Sequence, residues 1–196
     1  GRGVVRTLII TPFLVMPVAA ALLWKTTMLD PLYGVVNYIL SPFGVNHVAW
    51  VSSHPMGSII AVVVWRWTPF MMLIVLAGLQ SQPGEIVEAA RVDGAGLLAI
   101  FRELTLPHLR PYIELGVLLG SIYIVNTFGT IYMMTQGGPG TATTNLTYYL
   151  FQKAFNSYGI GQAAALGIVT VFGTLIVASV ALRLMATIFK FQEVRA

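Results

Sequence analysis

The chain has 196 residues, of which 57% are hydrophobic and only 9% charged, with a mean hydropathy of +0.80. A soluble domain carries roughly 25% charged residues to solvate its surface, and a chain this short has one core in which to hide apolar side chains, so the surplus must face lipid. The net charge of +4 is too small to suggest nucleic acid, and the absence of cysteine removes disulfides, thiolate nucleophiles and thiolate metal sites together.

A bilayer core about 30 Å thick takes roughly 20 mainly apolar residues in helix. Four stretches meet that length, at 7–24, 56–80, 112–134 and 161–189, and predict an all-α integral membrane protein with a single transmembrane domain over 1–196. The first has no signal-peptide cleavage pattern, and a start at Gly1 rather than Met implies sequence before it. Residues 25–55 follow, where Asp30, Pro31, Asn37, Pro42, Asn46, His47, His54 and Pro55 interrupt the apolar residues and predict short interfacial helices and turns. After the second span, residues 81–111 hold most of the acids and three arginines. After the third, residues 135–160 open on Gly137-Gly138-Pro139-Gly140 and continue with Thr and Asn, a loop signature. Lys and Arg then orient the chain, because they stay preferentially on the cytoplasmic side. Arg2, Arg6, Arg91, Arg102, Arg110, Arg183, Lys190 and Arg195 fall on one side, against Lys25 and Lys153 on the other. Residues 81–111 and both ends are therefore expected in the cytoplasm, and 25–55 and 135–160 outside.

Within 81–111, Ser81 or Gln82 can cap a helix that Pro83 opens, and Glu85 and Glu88 suit its positive N-terminal end. Ile86, Ala89 and Ala90 share one face. Asp93-Gly94 ends the helix, with Gly94 the expected left-handed residue. Leu97, Ile100, Phe101 and Leu104 repeat at helical spacing, and Pro107 and Pro111 are expected to end that second helix before the third span.

Glu88-Ala89-Ala90, then Asp93-Gly94-Ala95, then Leu106-Pro107 match the E-A-A, D-G-A and distal L-P pattern of binding-protein-dependent ABC importer permeases. The chain resembles the maltose-type carbohydrate branch most, in Leu32-Tyr33-Gly34 to Asn37, in 65–69, in Ala77-Gly78-Leu79-Gln80 and in Thr135 to Pro139. Residues 138–145 look like those of sugar-alcohol (polyol) permeases. The resemblance implies a type I ABC importer permease fold, of whose usual six spans these four are the last. It also implies that Glu88, Ala89, Ala90, Asp93, Gly94, Ala95, Leu106 and Pro107 form a cytoplasmic EAA coupling helix and its surround, against a separate nucleotide-binding ATPase subunit. The further partners implied are a second permease subunit, an extracytoplasmic solute-binding protein and membrane lipid, in a bacterial inner membrane. Since this chain has no Walker-type motif, it is expected to be non-catalytic and to hold no cofactor or metal, with ATP and Mg bound by the partner.

Arg66 is the only charge deep in a span. An unpaired charge there costs about 2.5–3.5 kcal/mol even on the mild insertion scale, so it should face protein or water; a structural pairing, or snorkelling outward, would satisfy it equally. Val63, Arg66, Trp67 and Phe70 share one helical face. By the resemblance, these and Gly120, Tyr123, Ile124 and Thr127 line a sugar pathway. Arg66 and Ile124 depart from the maltose pattern, which puts a large disaccharide in doubt; the solute that the resemblance implies is a sugar or sugar alcohol. Glu114 is expected to pair with Arg110, and Asn126 either bonds between helices or lines the pathway. His47, His54 and His108 share no metal-ligand spacing. The alternative function is an ion-coupled secondary transporter of a small polar solute built around Arg66, which would leave 81–111 without a role.

Overall fold

The computed structural model describes the backbone of residues 2–45 and 47–193 and the side chains of 7–45 and 47–187. Asn46 and Arg195, and the side chains of Arg2, Arg6 and Lys190, lie outside the described residues. The described residues are helical, with no strand among them.

The expected first span is two helices. α1 (Arg2–Leu14) and α2 (Pro17–Leu23, continued by wider π-type turns over Trp24–Met28) are bent by 102° at the intervening pair of residues. Pro17 is the cause: the residue before a proline is pushed out of helical geometry, and Met16 sits at φ −55°, ψ 136°. Short helices α3 (Val35–Leu40) and α4 (Trp50–Ser53) follow. α5 (Pro55–Ser81) and the Ile160–Thr187 part of α11 (Ile160–Glu193) are long and apolar enough to cross a membrane, and a third crossing exists if the bent pair counts as one. The stretch read as a third continuous span is divided between α8 (Leu106–Val125) and α9 (Gly129–Met134). His108, Arg110 and Glu114 make the first turns of α8 polar. Between these lie α6 (Gly84–Val92) and α7 (Leu97–Ala99), and α10 (Leu146–Phe151) precedes α11.

The chain forms two compact units. The first comprises Gly1–Pro69 and Tyr123–Thr174. Its core is Ala20, Ala21, Leu29, Ile59, Val62, Val63, Ile131, Met134 and Tyr148, ringed by tryptophans such as Trp24 and Trp65, whose rings meet edge-on at 5.7 Å. Two asparagines organise its irregular segments. Asn37, 6% exposed, donates from Nδ2 to the carbonyls of Asp30, Pro31 and Val48, and its Oδ1 accepts from Val48 N and from Trp50 Nε1 at 2.9 Å. Asn145 caps α10 by accepting from Tyr148 N at 2.8 Å, and donates to the carbonyls of Val125 and Thr127, so it also holds the break between α8 and α9. In the same loop Gly137 has φ +81°, and a Cβ there would stand 2.5 Å from Thr144 Oγ1 and 2.7 Å from the Tyr148 ring, so no side chain fits.

The second unit comprises Phe70–Ile122 and Leu175–Ala196. Small residues bring the end of α5 and α8 together: a Cβ on Gly78 would meet Leu109 at 2.7 Å and Tyr112 at 2.8 Å, and one on Gly116 or Gly120 would meet Met71 at 2.9 or 2.6 Å. This is the small-residue packing by which membrane helices approach in the absence of a hydrophobic drive between them.

Candidate functional site

α6 is a surface helix. Its first turn carries Glu85 and its last Arg91, each complementary to the helix dipole. The expected cap is absent: Pro83 stands at the capping position with extended backbone and gives no side-chain bond, and the helix starts at Gly84. Ser81 Oγ is engaged elsewhere, donating to Gly78 O at 2.8 Å and lying 2.8 Å from Tyr112 Oη and 3.0 Å from His108 Nε2. The other end forms as expected. Gly94 has φ +84°, Ala95 N donates to Ala90 O at 2.9 Å and Gly94 N to Arg91 O at 3.1 Å, the paired bonds of a Schellman motif.

Glu88, Ala89, Asp93 and Gly94 are exposed, Ala90 and Ala95 half-buried. Around them stand apolar side chains that no described residue covers: Val92 is 87% exposed, Leu97 79% and Leu98 78%. Pro107 and Pro111 do not end a helix. α7 runs through π-type turns over Ile100–Thr105 directly into α8, with Leu106 N bonded five residues back to Phe101 O. A widened turn absorbs the missing donor and ring of Pro107, which would break a regular helix. Leu106 is half-buried and Pro107 exposed.

The expected pathway residues are distributed between the units. In the first, Val63 is 9% exposed and belongs to the core. Trp67 packs edge-on against Phe13 at 5.7 Å and tilted against Tyr123 at 5.3 Å. Tyr123 and Ile124 are exposed, and Thr127 donates to Tyr123 O at 3.4 Å. Arg66 is half-buried, and its Nε is buried with no hydrogen-bond partner among the described residues. In the second unit, Phe70 is half-buried and Gly120 is packed on Met71. Glu114 forms the expected pair, Oε1 accepting from Arg110 Nε at 2.9 Å, and Asn126 donates to Thr174 Oγ1 at 3.4 Å, a bond between helices.

On the side read as outward, a cavity of about 510 Å³ lies in the first unit between the two loops, bordered by Lys25, Asp30, Ser52, Thr135 and Pro139 among others. Lys25 Nζ donates to Met133 O at 3.1 Å. The Asp30 carboxylate accepts from the backbone N–H groups of Tyr33 and Leu32, which hold it below the ordinary carboxylate range. Among the described residues, no cluster of His, Asp or Glu could hold a metal. Asn145 lay open to prediction, since Asn directly before an apolar helical run is a capping signal. The roles of Asn37 and of the Ser81–His108 contact carry no such local mark.

The regular structure of the described residues is thus helical throughout, with two helices of membrane length and an exposed helix, α6, between two of the long elements. The chain belongs to the family described as binding-protein-dependent transport system inner membrane component, whose family model matches residues 1–190. It is 41% identical over 167 residues to the probable ABC transporter permease protein y4oQ of Sinorhizobium fredii, covering 85% of this chain and 54% of that protein. To the trehalose/maltose transport system permease protein MalF of Thermococcus litoralis it is 39% identical over 170 residues, covering 85% of this chain and 57% of the relative. The fold is that of ABC importer permeases: a solved bacterial ABC transporter involved in the import of the acidic polysaccharide alginate superposes with TM-score 0.79 at 26% identity, over 95% of this chain and 66% of that one. The chain spans about half the length of the curated relatives it matches.

Proposed function

We propose that this chain is a non-catalytic transmembrane permease subunit of an ATP-driven importer, moving a sugar or sugar alcohol inward from an extracytoplasmic binding protein across a bacterial inner membrane. The observation that carries the reading is α6 with its Schellman turn: an exposed helix bearing Glu88-Ala89-Ala90 and Asp93-Gly94, fringed by uncovered Val92, Leu97 and Leu98, in a chain of this family. Small residues allow close backbone approach by a partner, the uncovered apolar side chains supply area to bury, and Glu88 offers a carboxylate to a basic residue. On this reading the partner is a nucleotide-binding subunit that binds ATP and Mg, and a second permease subunit completes the pathway.

Within the first unit, substrate handling falls to Arg66, Trp67, Tyr123 and Thr127, with Val63 and Ile124 beside them in sequence. The buried, unpartnered Nε of Arg66 supports this, because an orphaned buried donor in a span wants a polar companion. A guanidinium donates in a planar fork to neighbouring hydroxyls, and aromatic faces suit sugar C–H surfaces. Kinship with a trehalose/maltose permease and likeness to an alginate transporter support the carbohydrate class.

The test is reconstitution of the assembled transporter in proteoliposomes with binding protein and labelled sugars or polyols. Uptake should require ATP and persist when ion gradients are collapsed, and a cysteine at Ala142 should react only from the outside. Uptake driven by an ion gradient without ATP would overturn the reading.

A further inference from the structure

Residues 82–107, which include α6, leave from the end of α5 and return to the start of α8, and a group of side chains joins those two points. Ser81 is the last residue of α5, and His108 and Tyr112 lie one turn apart near the start of α8. His108 Nε2 is 3.0 Å from Ser81 Oγ and 3.1 Å from Gly78 O, and Tyr112 Oη is 2.8 Å from Ser81 Oγ.

The protons can be placed from chemistry. A carbonyl only accepts, so the His108 Nε2 facing Gly78 O carries a proton and donates. Ser81 Oγ–H donates to the same carbonyl, leaving the Ser81 oxygen to accept from Tyr112. Gly78 O belongs to the last turn of α5, so the bonds from His108 and Ser81 converge on a helix terminus as well as linking two helices. The missing side chain at Gly78 makes this possible, since any Cβ would collide with Leu109 and Tyr112. Among the described residues no carboxylate bonds to this trio, and the Ser81 proton goes to a carbonyl, so the group is not arranged as a nucleophile with its base.

We propose that Ser81, His108 and Tyr112 form a clamp at the neck of the 82–107 segment, positioning residues that tie its two ends so that a displacement of α6 passes to α5 and α8 together. Packing alone would let two apolar helices slide past one another, whereas directional bonds to one carbonyl fix their register. The inference rests on the reading of α6 as the coupling helix and adds to it the device by which movement reaches the spans.

The experiment uses the assembled transporter, with amide hydrogen exchange over residues 84–105 and the ratio of solute-stimulated to unstimulated ATP hydrolysis as its two measurements. His108→Ala should speed exchange in this segment and lower the stimulation ratio roughly three- to tenfold, the scale of one or two lost hydrogen bonds, with the ATPase subunit still bound. His108→Gln, whose amide nitrogen reaches the place of Nε2, should restore both to within about twofold, and adding Ser81→Ala to His108→Ala should cost little more than either change alone. Tyr112→Phe removes a single hydroxyl and keeps the ring, which preserves a folded test if His108→Ala assembles poorly; it should give the same changes at smaller size. Unchanged exchange in these variants, or a Gln variant no better than Ala, overturns the clamp and leaves the proposed function standing. Faster exchange with a normal stimulation ratio overturns its part in transmission. Failure of the proposed function is distinguishable, because it appears as absent ATP-dependent uptake by the unmutated transporter.

Discussion

Replacing Gly94 by valine isolates one physical quantity, the cost of a left-handed residue. Gly94 sits at φ +84°, and a Cβ built there meets no atom within 4 Å, so nothing is crowded and the penalty is conformational alone. For a β-branched residue that penalty is about 1–3 kcal/mol. The chain can pay it as strain or escape by giving up the bonds from Ala95 to Ala90 and from Gly94 to Arg91, which cost about 0.5–1.5 kcal/mol each, so both routes arrive at a similar sum. The turn should therefore fray while the membrane helices stay folded, and solute-stimulated ATPase in the reconstituted transporter should fall by roughly tenfold or more at unchanged solute capture by the binding protein. Gly96 supplies the control. It too has open space around its Cβ position, but with φ −71° and ψ 160° it is in an ordinary extended conformation, so Gly96→Ala should leave coupling intact. Gly94→Asn, which tolerates the left-handed region better, should fall between. A Gly94→Val transporter with normal stimulated hydrolysis would refute the reasoning.

Three further outcomes are expected. Arg66→Ala should lower uptake or shift preference among polyols without preventing assembly; wild-type transport of every polyol tested would remove Arg66 from the pathway. Asn37→Leu should lower thermal stability by about 2–4 kcal/mol, because it abandons several backbone carbonyls and Trp50 Nε1 in a buried setting, and the change should show in detergent melts. For Asp30, the folded chain holds the carboxyl below its ordinary value, so its contribution to stability is present above the ordinary carboxylate pKa and is lost as pH falls through the depressed one. Acid melts of Asp30→Asn should accordingly lack part of the stability loss that the unmutated chain shows in that window; identical acid profiles would contradict the assignment.

Membrane residence was legible because it depends on composition, and a chain short of charge has no other solvent. The α6 turn was legible because Asp93-Gly94 decides it locally. The division of the first span is hidden from hydropathy, although Pro17 marks it, because both halves are apolar and hydropathy has no sense of direction. Pro107 and Pro111 suit terminators by type, yet their effect depends on whether the preceding turns widen, which a proline alone does not reveal. Ser81 suits a cap by type and was drawn instead to His108 and Tyr112, 27 and 31 residues away, a competition that only tertiary proximity decides. The proposed coupling residues lie within one short stretch and can be read from it; the proposed pathway residues come from two helices, and their grouping rests on helical spacing and resemblance.

Only 11% of the most apolar window in α11 is buried inside the molecule. Val169, Phe172 and Ile176 present most of their surface outward. Such a helix is held by the medium around it more than by neighbours in its own chain, so its sequence is constrained by chemistry and scarcely by shape. Substitution across these positions should register hydropathy with little regard to volume: valine, leucine, isoleucine and phenylalanine would exchange almost freely, where a core site such as Met134 would resent each change. The helix should thus keep its apolar character under substitutions that a packed core would not accept.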